Sequence, residues 1–212
     1  MSDNPHSIPQ PKVDPSKKAA MRPDNTPDDN NRIEIGPTPM AYAEWEAAGL
    51  QCPDLPAMRQ YRLDRILAGL ERFDLDAVLL FDPLSIRYAT DSTHMQLWNA
   101  HNPFRACLVT RDGHMVLWEY GGYAYMSQYN PLINEVRAGA SFFYFATGQR
   151  TEEKAEKFVE QVIDLLNEHV GSGRRVAVDK IQIAGLRALD AAGVEVMDGE
   201  ELMEQTRAIK GP

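Results

Sequence analysis

Cysteine is nearly missing from this sequence: Cys52 and Cys107 are the only two in 212 residues. That is too few for a disulfide framework or a thiolate metal centre. No apolar run approaches the ~18 residues of a membrane-spanning helix, so no membrane partner is expected. The opening stretch is polar and proline-rich, the reverse of a secretory leader, and a cytoplasmic protein is the simplest expectation. Basic residues are in deficit, 22 Lys and Arg against 31 Asp and Glu, for a net charge of −9. Phosphate backbones are held by clustered Lys and Arg, so nucleic acid is not expected as a partner.

Active-site signatures are scarce as well. The sequence contains no Gly-x-Gly-x-x-Gly, no phosphate-cradling loop ending in Gly-Lys-Ser/Thr, no Gly-x-Ser-x-Gly elbow and no His-Glu-x-x-His. Histidines 6, 94, 101, 114 and 169 are not spaced as ligand pairs on a helix. His114 sits at the entry to a hairpin, and His169 in the last turn of a helix, where a cation suits the dipole. Structural or surface roles fit both better than catalysis. From the residues alone, neither a metal site nor a nucleophile is assembled.

What is present is ordinary globular composition, 43% hydrophobic and 25% charged, enough to bury a sizeable core. Proline is uneven: ten of the fourteen lie in the first 56 residues. Met1 to Asn31 has too few aliphatic residues to offset its ordering entropy and reads as an arm, disordered or laid over a partner. Residues 33–50 carry Ile33, Met40, Trp45 and Leu50, enough apolar surface to pack against a neighbour. The expected division is a largely irregular arm over 1–52 and one domain over 53–212.

Within that domain, helix and strand patterns alternate. Pro56 opens a helix whose apolar side runs Met58, Tyr61, Ile66, Leu67, Leu70 and Phe73. Ala77 to Phe81 is a continuous apolar run, a buried strand, and Leu84 to Ala89 can form a short helix. Asp112-Gly113 predicts a hairpin turn between strands over 105–110 and 114–120. A short helix around Tyr123 to Tyr129 and a strand around Ile133 to Arg137 are expected next. Thr151 is expected to cap a helix to His169, with Ala155, Phe158, Val159, Val162, Ile163 and Leu166 buried and an exit at Gly171. Val176 to Val178 and Val194 to Met197 read as strands flanking a helix over 181–192. Asp198 and Glu201 have capping-box spacing before a last helix. The pattern predicts an α/β fold, a mixed sheet with helices on its faces.

The stretch from Arg87 to Arg105 stands apart. It is dense in polar donors and acceptors yet contains Tyr88 and Trp98, the character of a binding loop on a rigid scaffold. A polar loop pinned by one packing tryptophan is the competing reading. Asp91-Ser92-Thr93 can end a helix. Asn102-Pro103 argues against a helix running through His101, so His94 and His101 are not assigned as ligands.

Phe81-Asp82-Pro83-Leu84-Ser85-Ile86-Arg87-Tyr88-Ala89-Thr90-Asp91, Val178-Asp179-Lys180 and Thr206 to Pro212 together resemble the N-terminal domain of the creatinase, prolidase and aminopeptidase P superfamily. Met95-Gln96-Leu97-Trp98-Asn99-Ala100-His101-Asn102-Pro103-Phe104-Arg105 resembles its dimethylsulfoniopropionate lyase branch, as do Asp24 to Pro27 and Arg32 to Thr38. The resemblance implies a creatinase-type N-terminal α/β domain. It also implies a C-terminal pita-bread domain, absent here, in which two Asp, one His and two Glu hold a divalent metal, expected to be iron. Neither catalytic nor metal-binding residues are therefore expected in this chain. Gly211-Pro212 reads as a helix stop followed by the start of a new element, so an interrupted longer protein is expected.

The resemblance further implies a homodimer in which this domain closes the neighbouring subunit's pocket. Trp98 matches the tryptophan of the closing loop, and Tyr88 is a second candidate ring. The implied substrate is a small zwitterion with a sulfonium at one end, and an indole face attracts such a cation by ~0.5 to 2 kcal/mol. Two alternatives stand beside the lyase: the N-terminal domain of an Xaa-Pro peptidase, and a non-catalytic dimerisation or binding module.

Overall fold

A computed structural model describes residues 39–51, 53–127, 129–209 and 211. Met1 to Asn31, the motif stretches around Asp24 and Arg32, and Pro212 lie outside the described residues. The first described element, α1 (Pro39–Ala47), falls within the 1–52 segment.

Helix α2 (Leu55–Arg72) begins where expected, because the Asp54 side chain accepts from Ala57 N–H at 3.0 Å and Pro56 sits in the first turn. Strand β1 (Ala77–Leu80) follows, then α3 (Pro83–Thr90) and α4 (Gln96–His101). The Asp112-Gly113 turn joins β2 (Ala106–Thr110) to β3 (Met115–Glu119). Gly113 adopts φ +90°, open to glycine at no steric cost. The helix expected near Tyr123 is a single 3₁₀ turn, Ala124–Ser127, and β4 spans Glu135–Ala138. After α5 (Tyr144–Thr147) come α6 (Thr151–His169), β5 (Arg175–Val178), α7 (Ile183–Ala191), β6 (Glu195–Asp198) and α8 (Gly199–Ala208).

Two local expectations are corrected. Thr151 is the first residue of α6, not its cap: its hydroxyl donates back to the Gly148 carbonyl at 2.8 Å. In the buried stripe of that helix, Leu165 is fully covered and Ile163 only partly. The capping of α8 holds, with the Asp198 carboxylate accepting from Glu200 and Glu201 N–H.

The strands form one six-stranded mixed sheet in the order β4-β3-β2-β1-β5-β6. β1 runs antiparallel to β2 and parallel to β5, so the sequence alternation expected for a mixed sheet is realised at its centre. Strand periodicity then divides the core in two. Ala77, Leu79 and Phe81 face one side with Leu108, Trp118, Phe158, Val162 and Leu189, under α6 and α7. Val78 and Leu80 face the other with Ile66, Leu70, Ile86, Leu117 and Leu202, under α2, α3 and α8. Burying each such leucine or isoleucine contributes about 1.5 to 3 kcal/mol. The consequence for function is topological: the chain leaves β1 toward one face and β5 toward the other, opening a crevice at their carboxyl ends.

Candidate functional site

The turns at that crevice lock onto each other. The Asp179 carboxylate, just past β5, accepts from Phe81 N–H at 2.7 Å, Asp82 N–H at 3.2 Å and Lys180 N–H at 2.6 Å. Burial is the largest influence on it and pushes the carboxyl up to about 6, against the opposing pull of these three donors. Asp82 caps α3 through Leu84 N–H and takes an ion pair from Lys180 at 2.6 Å. The two stretches Phe81-Asp82-Pro83 and Val178-Asp179-Lys180, remote in sequence, thus form one clasp. Asp179 occupies the backbone donors that a ligand anion would otherwise use.

α3 ends at Asp91, in the left-handed region at φ +53°. Arg59 and Arg62 of α2 grip its carboxylate at 2.9 and 3.1 Å, and Tyr129 donates its hydroxyl to its carbonyl. With that anchor set, the chain returns over the sheet end as α4, a helix the sequence reading left out. Gln96, Leu97, Asn99 and Ala100 of α4 form one wall of a cleft of about 470 Å³, completed by the β1–α3 turn and Lys180 to Gln182.

Trp98 lies on α4, half-buried. Its ring meets Phe145 edge-on at 5.4 Å. Around it, Leu97 is 89% exposed, Phe145 76% and Tyr144 71%, a concentration of uncovered apolar groups. Tyr88 is placed differently. Its ring packs into the α2/α8 side of the core under the Arg62 guanidinium at 5.5 Å, and its hydroxyl donates to the Thr206 carbonyl at 3.4 Å. No ring contact joins Tyr88 to Trp98 among the described residues.

Sequence reasoning gave no task to Asn99 of α4 or to the groups beneath that helix, Arg105, Glu119 and Tyr120. Glu119 is wholly buried, with Arg105 Nε at 2.8 Å and His94 Nδ1 at 3.0 Å from its two oxygens. A glutamate closing the strand pattern directly after the apolar run Met115 to Trp118 was the available signal, since an ionised group is rarely fully buried without a partner.

Among the described residues, no three His, Cys, Asp or Glu side chains converge closely enough to hold a metal ion. Burial pushes the Cys107 thiol up to about 12, so it is no nucleophile. His114 and His169 stack face to face at 3.7 Å. Ring nitrogens bind metals in the ring plane, so that arrangement suits packing rather than coordination. A larger groove of about 720 Å³ between α6 and α7 has an alanine floor and a carboxylate wall, without convergent donors. The β1/β5 end is the better site by its chemistry.

The sequence profile of the Creatinase/Prolidase N-terminal domain matches residues 62–209. The chain belongs to the creatinase/prolidase N-terminal domain family. This creatinase-type domain is 56% identical over 201 residues to the dimethylsulfoniopropionate lyase DddP of Roseovarius nubinhibens. It is 51% identical over 201 residues to the DddP lyase of Roseobacter denitrificans. Each alignment covers 95% of this chain and 45% of the relative, so the chain spans less than half the length of these curated relatives. Among solved structures, the Xaa-Pro dipeptidase of Bacillus anthracis superposes with a TM-score of 0.51 at 15% identity, over 72% of this chain and 37% of that one. An Xaa-Pro aminopeptidase of Streptococcus pyogenes gives 0.50 at 14%, over 72% of this chain and 100% of that one. These two likenesses bear on the creatinase-type fold alone. Among the described residues, no helix is long and apolar enough to cross a membrane.

Proposed function

We propose that this chain is the dimer-forming, pocket-closing N-terminal domain of a dimethylsulfoniopropionate lyase. The carrying observation is identity of 56% and 51% to two DddP lyases along nearly the whole chain. Identity to the two peptidases of like fold is 15% and 14%, so the Xaa-Pro peptidase reading is the weaker one. The boundary proposed for the domain is Pro53, with 1–52 as the arm.

In the proposed reaction a base removes a proton from the carbon next to the substrate carboxylate. The carbon–sulfur bond breaks with its electron pair going to sulfur, releasing dimethyl sulfide and leaving acrylate. The base and a divalent metal, which we take to be iron, are assigned outside this chain. The described residues offer no ligand set for such a metal. This chain's part is to cover the neighbouring subunit's pocket and exclude water. Trp98, half-exposed on α4, presents an indole to the sulfonium. Tyr88 enters the proposal as a second ring, one already engaged by Arg62 and Thr206. The native setting is proposed to be a cytoplasmic homodimer.

The test begins with the coding sequence beyond the Pro212 codon. An open frame carrying a second domain is expected, and the whole protein should release dimethyl sulfide from dimethylsulfoniopropionate and leave an Xaa-Pro dipeptide intact. Peptide hydrolysis without dimethyl sulfide would assign it to the peptidases. A stop codon at that point would favour a non-catalytic dimerisation module.

A further inference from the structure

Directly beneath α4 lies a buried polar cluster to which the proposed function gives no task. Glu119 is 0% exposed, Arg105 2% and Asn99 2%. Burying a carboxylate costs several kcal/mol unless it is paired and hydrogen-bonded, and Glu119 is both. One oxygen accepts Tyr120 N–H at 2.8 Å and lies 3.0 Å from His94 Nδ1; the other lies 2.8 Å from Arg105 Nε, without the alignment of a hydrogen bond. Arg105 spends another donor on the Ser92 hydroxyl at 2.7 Å. The His94 ring is flanked by Tyr120 at 4.9 Å and Tyr123 at 4.5 Å.

The cluster reaches α4, which carries Trp98, through Tyr120 and Asn99. The Tyr120 ring is stacked on Phe104 at 4.1 Å with a 5° tilt. Its hydroxyl donates at 3.3 Å to Oδ1 of Asn99, the residue after Trp98 on α4. Asn99 in turn donates to the carbonyls of His94 at 2.5 Å and Met95 at 3.2 Å, tying down the entry to α4. α4 needs this help. It has six residues and no side-chain cap, and it begins after Met95 at φ +44°. Helices shorter than about 12 residues do not persist unaided. An apolar plug would stabilise such a site as well as a buried ion pair does. What the polar cluster adds is direction, because each hydrogen bond accepts one geometry.

We infer that Tyr120 and His94, seated on the Glu119–Arg105 pair, are positioning residues that seat α4 through Asn99 and so set where α4 presents the Trp98 indole. The inference rests on the proposed function for what the ring meets; the hold on α4 does not. Tyr120→Phe removes one oxygen and keeps the ring that stacks on Phe104.

The experiment uses the 212-residue chain labelled with ¹⁵N-tryptophan, whose three indole N–H resonances are assigned by Trp98→Phe and Trp118→Phe. In Tyr120→Phe the Trp98 indole resonance should move, because α4 loses the Asn99 contact that seats it. The Trp118 resonance, whose N–H donates to Gln161 at 3.1 Å, should stay in place as the internal check on folding. His94→Gln, a second and independent variant, should shift the same Trp98 resonance. In the whole protein, Tyr120→Phe should raise KM for dimethylsulfoniopropionate about fivefold, one hydrogen bond's worth, with kcat little changed. An unmoved Trp98 resonance in Tyr120→Phe overturns the inference. So does a moved resonance with unchanged KM, which would make the contact merely structural. Failure of the proposed function itself appears separately, as absence of dimethyl sulfide from the unaltered whole protein.

Discussion

At the scale of single residues, two side chains carry most of what can be measured. Trp98 is half-exposed and rests on Phe145, which is itself largely uncovered. Trp98→Ala in the whole protein should therefore raise KM about tenfold, the loss of a cation–π contact of order 1.4 kcal/mol. Thermal stability should change little by calorimetry. A loss of several kcal/mol of stability with unchanged kinetics would make Trp98 a packing residue. Asp179 is the opposite kind of residue, a buried carboxylate spent on three backbone donors. Its pKa, pushed up from 3.8 to about 6 chiefly by burial, means that the folded state binds its proton more tightly than the unfolded state. Stability from this group is therefore greatest below about pH 4 and is lost as pH rises through about 6. A ¹³C carboxyl titration should find its midpoint near 6, and Asp179→Asn should remove that portion of the pH slope.

At the scale of elements, the end of the β2–β3 hairpin is fastened to the last turn of α6. His114 stacks on His169 at 3.7 Å, and His169 Nδ1 lies 3.0 Å from Asp112 Oδ2. Burial first, then the His169 charge, lowers the His114 pKa, against Asp112, Glu135 and Glu168, which pull it up. The unfolded chain then binds the proton more readily. Stability from His114 is complete above about pH 6.5 and falls as pH drops below it, opposite in sign to Asp179. Comparing His114→Gln with wild type at about pH 5 and pH 7.5 isolates the effect: the variant should lose less stability on acidification. Elsewhere, Gly139 follows β4 where a Cβ would sit 2.0 Å from Phe104 Cε1. Gly139→Ala must push Phe104 off Tyr120 and should destabilise the domain by about 1 to 3 kcal/mol in denaturant titrations. The Trp98 indole resonance should shift with it, since Tyr120 holds α4 through Asn99.

At the scale of the whole molecule, the uncovered groups Leu97, Tyr144, Phe145 and Ile183 are the surface we propose for contact with a second subunit. Leu97→Ser with Phe145→Ser should shift the whole protein from dimer toward monomer in sedimentation. Both side chains are mostly solvated, so unfolding of this domain should be unaffected. A dimer that persists would move the interface elsewhere.

Much of this architecture was legible from the amino acids because its signals are local. The period of α6, the apolar run of β1, the Asp112-Gly113 turn and the Asp198 cap each span a short stretch of chain, and in α6 burial departed from the expected stripe only at Ile163 and Leu165. The two-sided core follows too, since alternate residues of a strand must face opposite ways. What spacing could not convey were meetings across the chain. Asp179 clasps Phe81 from 98 positions away, and His94 reaches Glu119 across 25. Helix α4 was unreadable because six residues without a cap have no helical signal of their own. Only the tertiary structure supplies its buried foundation, because a hydrogen bond between distant residues depends on where the sheet and its turns place them. The same reason separates Tyr88 from Trp98: ten positions apart in one polar stretch, the first turned into the α2/α8 side of the core and the second onto an open surface.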